Sequence, residues 1–114
     1  MKLKIIETKN FSKTVDTLIK KRVLLKIDYE CFKSDLVNMP AIGTMIPGTG
    51  GVRKIRLKAS SKGKSGGFRV CYYYLVERQI YLLLIYAKNE QENLSLEEKK
   101  ELKALVKMLK EINE

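Results

Sequence analysis

The sequence predicts an α+β fold of order β-α-α-β-β-β-α, an antiparallel sheet packed against an N-terminal helical hairpin and a C-terminal helix. Three observations predict it. Apolar residues recur at helical spacing before position 40 and again after position 95, the period changes to two between 54 and 88, and the last three strand-like segments are joined by short connections. A chain of 114 residues suits a single domain over 1–114, and no internal repeat or interdomain linker interrupts it.

Residues 2–7 read as a first strand. Asn10–Arg22 reads as a helix, with Asn10 as its cap and Phe11, Val15, Leu18 and Ile19 as its apolar stripe. A second helix over 24–38 carries Leu25, Tyr29, Phe32 and Leu36 on one face, and Pro40 ends it. Gly43, Pro47, Gly48, Gly50 and Gly51 mark a loop.

Over Lys54–Ala59 apolar and basic residues alternate. A strand there turns Lys54, Arg56 and Lys58 to one side and Ile55, Leu57 and Ala59 to the other. Ser60–Gly67 is a basic Gly/Ser loop. Phe68–Glu77 is the next strand, with Phe68, Val70, Tyr72, Tyr74 and Val76 on one face and Arg69, Cys71, Tyr73 and Leu75 on the other. Ile80–Lys88 is apolar on both faces, as suits a strand covered on both sides. Ser95-Leu96-Glu97-Glu98 fits a capping box, and Leu102, Leu105, Val106, Leu109 and Ile112 form the stripe of the helix it opens.

Composition narrows the chemistry. Lys and Arg number 23 against 13 Asp and Glu, a net charge of +10. The excess is local: residues 49–88 hold nine basic groups and one acid, Glu77, whereas residues 89–114 hold five basic groups and seven acids. Such clustering points to one polyanion-binding face. The chain has no histidine, which excludes a Ser-His-Asp triad, a Cys-His nucleophile and any His-ligated metal. Cys31 and Cys71 cannot make a zinc site alone and read as buried small hydrophobes. The longest apolar run, Ile80–Ala87, is too short to span a bilayer, and the N-terminal residues lack a signal-peptide pattern, so a cytoplasmic protein without membrane partners is expected. Gly63-Lys64-Ser65 does not complete a Walker A motif, because Lys58 stands where that motif needs glycine and a strand follows instead of a helix.

Lys54, Arg56, Lys58 and Arg69, with Lys62 and Lys64 in the adjoining loop, are the expected phosphate-neutralising set, and Tyr73, on the face of Arg69, is the expected base-stacking residue. Such a face makes RNA cleavage without histidine chemically possible. The ribose 2′-hydroxyl is an internal nucleophile, cations stabilise the phosphorane, and a lysine transfers protons once neighbouring positive charges disfavour its charged form.

Three ordered blocks carry a resemblance. Gly48-Thr49-Gly50-Gly51-Val52-Arg53-Lys54-Ile55-Arg56, Gly66-Gly67-Phe68-Arg69-Val70-Cys71-Tyr72-Tyr73-Tyr74 and Ile80-Tyr81-Leu82-Leu83-Leu84-Ile85-Tyr86-Ala87-Lys88-Asn89-Glu90 resemble the HigB branch of the RelE/ParE toxin superfamily. The resemblance implies a type II toxin that cuts mRNA on the ribosome as a metal-independent endoribonuclease and needs no cofactor. It also implies a HigA-like helix-turn-helix antitoxin, with operator DNA bound only through the toxin–antitoxin complex. It assigns Lys54, Arg69 and Lys88 to catalysis: Arg69 would hold the scissile phosphate, and Lys54 or Lys88 would act as base or acid. Arg53, Arg56, Lys58, Lys62, Lys64, Tyr73 and Asn89 would bind RNA. Some RelE members carry a catalytic tyrosine after the last strand. Residues 87–114 contain none, Ser95 falls near that place, and Tyr86 is the nearest tyrosine. Two alternatives belong to other classes: a ParE-like gyrase inhibitor that cuts nothing, and a non-catalytic RNA-binding module.

Overall fold

In the computed structural model, described over residues 3–59 and 67–113, a mixed sheet separates two helical layers. The elements run β1 (Lys4–Glu7), α1 (Lys9–Lys20), α2 (Lys26–Asn38), β2 (Thr44–Met45), β3 (Val52–Leu57), β4 (Phe68–Leu75), β5 (Gln79–Ala87) and α3 (Leu96–Ile112). The five strands lie in the order β1-β5-β4-β3-β2. β3, β4 and β5 form the expected antiparallel meander. The sheet is not wholly antiparallel, because β1 pairs with β5 in parallel, Ile5 opposite Ile80. That pairing spans two helices and three strands of intervening chain, which local periodicity does not report. The two-residue β2, paired with Arg53 and Lys54, was also too short to show as a pattern.

Each sheet face buries its own core. Phe11, Val15, Tyr29, Phe32 and Leu36 of the helical hairpin pack on Leu57, Phe68, Val70, Tyr72, Ile80 and Leu82. On the opposite face Leu102, Val106 and Leu109 of α3 cover Val52, Cys71, Tyr73, Tyr81 and Leu83. β5 is therefore buried on both sides, as its continuous apolar run requires. Truncating one of these core leucines to alanine would cost about 2–5 kcal/mol, the removed burial plus the cavity left behind.

Helix ends differ from expectation in one case and agree in another. α1 is preceded by Thr8 at the N-cap, so Asn10 lies inside the helix and its backbone carbonyl accepts from the Thr14 hydroxyl at 3.0 Å. α3 opens with a complete capping box: the Ser95 hydroxyl accepts from the Glu98 N–H at 3.1 Å, and the Glu98 carboxylate accepts from the Ser95 N–H at 2.9 Å. Four apolar or thiol side chains expected in the core lie outside it. Leu25 precedes α2, Val76 falls in the turn after β4, Ile112 ends α3, and Cys31 lies on the outer face of α2, off the Tyr29–Phe32–Leu36 stripe.

The β4–β5 ladder contains a bulge. Cys71 pairs with Leu84 but Tyr72 pairs with Leu82, so Leu83 is an extra residue in β5. Before it, Ile80 and Leu82 face the helical hairpin. After it, Ile85 and Ala87 take that side and Tyr86 turns to the α3 side. The extra residue thus exchanges the two faces along β5.

Candidate functional site

The bulge and the register of the meander assemble one row of side chains. Arg56 on β3 stands opposite Arg69 on β4, and Arg69 stands opposite Tyr86 on β5. Two register positions further along, Lys54 stands opposite Cys71. Lys88 follows Tyr86 by two positions, just past the end of β5, where its N–H donates to Gly67 O at 3.3 Å. Gly67 has φ +140°, and a Cβ there would lie 3.2 Å from Leu57 O, so glycine allows the chain to enter β4 close against β3. Lys54, Arg69 and Tyr86 thereby share the sheet face on which α3 packs.

α3 contributes its N-terminal turn to this region. Lys54 and Lys99 line a depression of about 230 Å³ with Ile46, Pro47 and Leu94. Thr49 fixes the loop on its rim: its buried hydroxyl donates to Ile46 O at 2.7 Å and accepts from the Val52 N–H at 3.1 Å. Glu98 is a carboxylate that acts on both Cys71 and Tyr86. Its bond from the Ser95 N–H holds its pKa below the ordinary value, against a smaller opposing effect of burial.

The electrostatics of the row follow from burial. Burial pushes the Tyr86 phenol up to about 12, with Arg69 pulling weakly the other way, so Tyr86 is a proton-bearing group at neutral pH. Burial likewise raises the Cys71 thiol to about 12, opposed by Lys54, and makes it a poor nucleophile. Arg69 Nη1 and the Tyr86 hydroxyl are both buried and have no hydrogen-bond partner among the described residues.

The other sequence-predicted residues are distributed as follows. Arg53 points away from the row and donates from Nη1 to Gly43 O at 2.7 Å and to Ala41 O at 3.0 Å, which makes it a tie for the loop before β2. Arg56 and Lys58 line a depression of about 310 Å³ with Asp28, Cys31 and Asp35 of α2, at the margin of β3 that β2 leaves uncovered. Tyr73 is only 8% exposed and packs beneath α3, so it is not brought to a surface where a base could stack. Asn89 is exposed in the turn after β5. Lys62 and Lys64 lie outside the described residues. Sequence reasoning missed Lys99, which reads as an ordinary helix lysine until the fold brings it to Lys54. It also missed the placement of Tyr86, whose face depends on the bulge.

A family model, the RelE toxin of the RelE/RelB toxin-antitoxin system, matches residues 43–114. The chain belongs to the RelE toxin family. The matched segment holds β2 to α3 and every residue of the row, while β1 and the helical hairpin precede it. As a RelE-family protein the chain is the toxin of a toxin–antitoxin pair, in a family whose members are generally mRNA endoribonucleases and pair with a RelB-type antitoxin. Among the described residues no group of three or more His, Cys, Asp or Glu side chains gathers as a metal site, and no helix is long and apolar enough to cross a membrane.

Proposed function

We propose that this RelE-family toxin is a ribosome-dependent mRNA endoribonuclease of the HigB type, working in the cytoplasm and neutralised by a HigA-like antitoxin. One observation carries the reading: the cationic row on one sheet face, with the buried Arg69 Nη1 lacking an acceptor among the described residues. A guanidinium only donates, so an unpaired buried one calls for an anion, and its planar fork matches phosphate.

In this scheme Arg69 binds the non-bridging oxygens of the scissile phosphate. Lys54 takes the proton from the ribose 2′-hydroxyl as its oxygen attacks phosphorus. The P–O5′ bond breaks, and Lys88 gives the departing oxygen its proton. The products are a 2′,3′-cyclic phosphate and a 5′-hydroxyl, so no water, metal or redox partner enters the step. Arg56, Lys58 and Asn89, with Lys62 and Lys64, hold neighbouring RNA phosphates. The ribosome orders the mRNA.

The test is translation of a defined mRNA in a purified system with and without the toxin, with mapping of new 5′ ends. Ends in register with the reading frame, and only during translation, support the proposal. Equal cutting of naked RNA overturns ribosome dependence. Intact mRNA together with inhibited gyrase makes the protein a ParE-like inhibitor instead.

A further inference from the structure

Native proteins pair nearly all their buried polar groups, and an unpaired one costs stability. Here two such atoms occur on adjacent strands, Arg69 Nη1 and the Tyr86 hydroxyl, and their residues face each other across the β4–β5 ladder. Tyr86 is only 7% exposed, so bulk water does not relieve its hydroxyl. The bulge at Leu83 gives a third, independent observation. Without the extra residue Tyr86 would point with Ile80 and Leu82 into the apolar core under the helical hairpin. A ladder defect that turns a phenol toward an arginine and then leaves both unpaired is a site lacking its acceptor.

The chemistry of the ligand follows from the donors. Arginine has no acceptor, and the phenol beside it keeps its proton at neutral pH. The ligand must therefore present acceptor oxygens on at least two lone-pair directions. Lys54 adds positive charge two register positions from Arg69, opposite Cys71, so the ligand must also be an anion. Glu98 is the opposing charge nearby, and its Oε1 is already engaged by the Ser95 N–H and by Gln91 Nε2 at 3.1 Å. A singly charged group meets less repulsion from that carboxylate than a dianion does. A phosphodiester satisfies all of these conditions.

We propose that Arg69 and Tyr86 form a two-donor cradle for the non-bridging oxygens of one phosphodiester, already assembled in the free toxin. The inference rests on the reading of this face as an RNA-cleaving site and adds Tyr86 as the second group that touches the scissile phosphate. The tyrosine donates a hydrogen bond and is not the base. As negative charge builds on the phosphorane oxygens, both donors strengthen, with no reorganisation needed at that moment.

The experiment uses the full-length free toxin and a 2′-O-methyl dinucleotide, a phosphodiester that has no nucleophile and cannot be cut. Tyrosine side-chain carbons are observed by NMR, with the Tyr86 signal assigned by its loss in Tyr86→Phe. The Tyr86 signal is expected to shift on titration, and Tyr86→Phe to bind the diester about tenfold more weakly or worse. The same variant is expected to unfold at an equal or higher temperature, because it discards an orphaned hydroxyl. A merely structural tyrosine would show the reverse, lost stability with unchanged diester affinity, and either of those results overturns the cradle. Binding through Tyr86 by a toxin that cuts no mRNA on ribosomes supports the cradle while refuting the enzyme. Wild-type single-turnover cutting by Tyr86→Phe on ribosomes overturns the cradle and leaves the enzyme.

Discussion

The Tyr72 hydroxyl accepts from the Gly43 N–H at 2.9 Å, and a Cβ added to Gly43 would lie 2.7 Å from that same oxygen. The hydroxyl also donates to Pro40 O at 2.8 Å, so a fully buried tyrosine of β4 pins the chain between α2 and β2. Tyr72→Phe leaves a buried backbone N–H unpaired and is expected to cost about 1–3 kcal/mol in urea unfolding. Gly43→Ala must displace the Tyr72 ring and crowd Arg53, whose Cβ would lie 3.1 Å away, and its cost should exceed that of Tyr72→Phe. Because the two share one contact, the double variant should fall short of the sum of the singles.

The two thiols should separate in alkylation. Cys71 is buried between Lys54 and Leu84 in the ladder, with its pKa pushed up to about 12, whereas Cys31 is exposed on α2. Native protein treated with iodoacetamide near neutral pH is expected to gain one adduct, at Cys31, and unfolded protein two. Mass spectrometry of peptides checks this. Comparable labelling of Cys71 in the native state would show that the α3 face opens readily.

The contrast between those cysteines shows what was legible in the sequence. The stripe through Tyr29, Phe32 and Leu36 already excludes position 31, so the exposure of Cys31 is legible in the helical spacing. Alternation in β3 and β4 placed Lys54, Arg69, Cys71 and Tyr73 on one face correctly, because period two depends only on local backbone geometry. It could not say that α3 would cover Tyr73 and leave Arg69 half-buried, since coverage is set by tertiary packing. Nor could it find Tyr86. One extra residue in a ladder leaves no mark in a run that is apolar on both faces, and the alternation read straight through Leu83 puts Tyr86 on the wrong side.

The α3 cap predicts a pH dependence. Glu98 has a folded-state pKa below its unfolded one, chiefly because its carboxylate accepts the Ser95 N–H. Its contribution is thus present above the ordinary glutamate pKa and is lost as pH falls through the depressed folded value. Ser95→Ala is expected to destabilise the protein by about 1 kcal/mol at neutral pH. Glu98→Gln should flatten the acid side of the stability profile, measured as urea midpoints down the pH scale. An unchanged acid slope in Glu98→Gln would assign that slope to other carboxylates.

Arg69 should be dispensable for folding and required for toxicity. Its Nη1 has no partner to lose, so Arg69→Ala should unfold at a temperature close to that of the wild type. Removing a preorganised donor to developing charge costs about 10²–10³ in rate, and that loss should let bacteria grow at expression levels where the wild type arrests them. Arg69→Lys should not restore arrest, because an ammonium lacks the planar fork. A folded Arg69→Ala that still stops growth would remove Arg69 from the site.

Lys54 and Lys88 can be told apart by the kind of defect each causes. Lys54 stands opposite Cys71, two register positions from the Arg56–Arg69 pair, and lines the depression beside Lys99. Lys88 is exposed just past the end of β5. A lysine that only neutralises phosphate sets affinity: its loss raises the toxin concentration needed for half-maximal cutting and lowers the salt slope by about one. A lysine that moves a proton sets the rate of bound complexes, by about 10²–10⁴. Single-turnover cleavage on programmed ribosomes, at saturating toxin and across salt, separates the two. Lys54→Ala is expected to lower the saturated rate by at least a hundredfold with little change in salt slope. Lys88→Ala is expected to lower the slope, with a smaller drop in saturated rate. If Lys54→Ala cuts at the wild-type rate once saturated, Lys54 is a phosphate contact, and the proton of the 2′-hydroxyl must go to Lys88 or to a group the ribosome supplies. Exchanging the two lysines for arginine sharpens the distinction, since arginine keeps the charge but does not give up a proton in this pH range. Lys54→Arg and Lys88→Arg should then both cut slowly when saturated, while Lys88→Arg keeps the salt slope that Lys88→Ala loses.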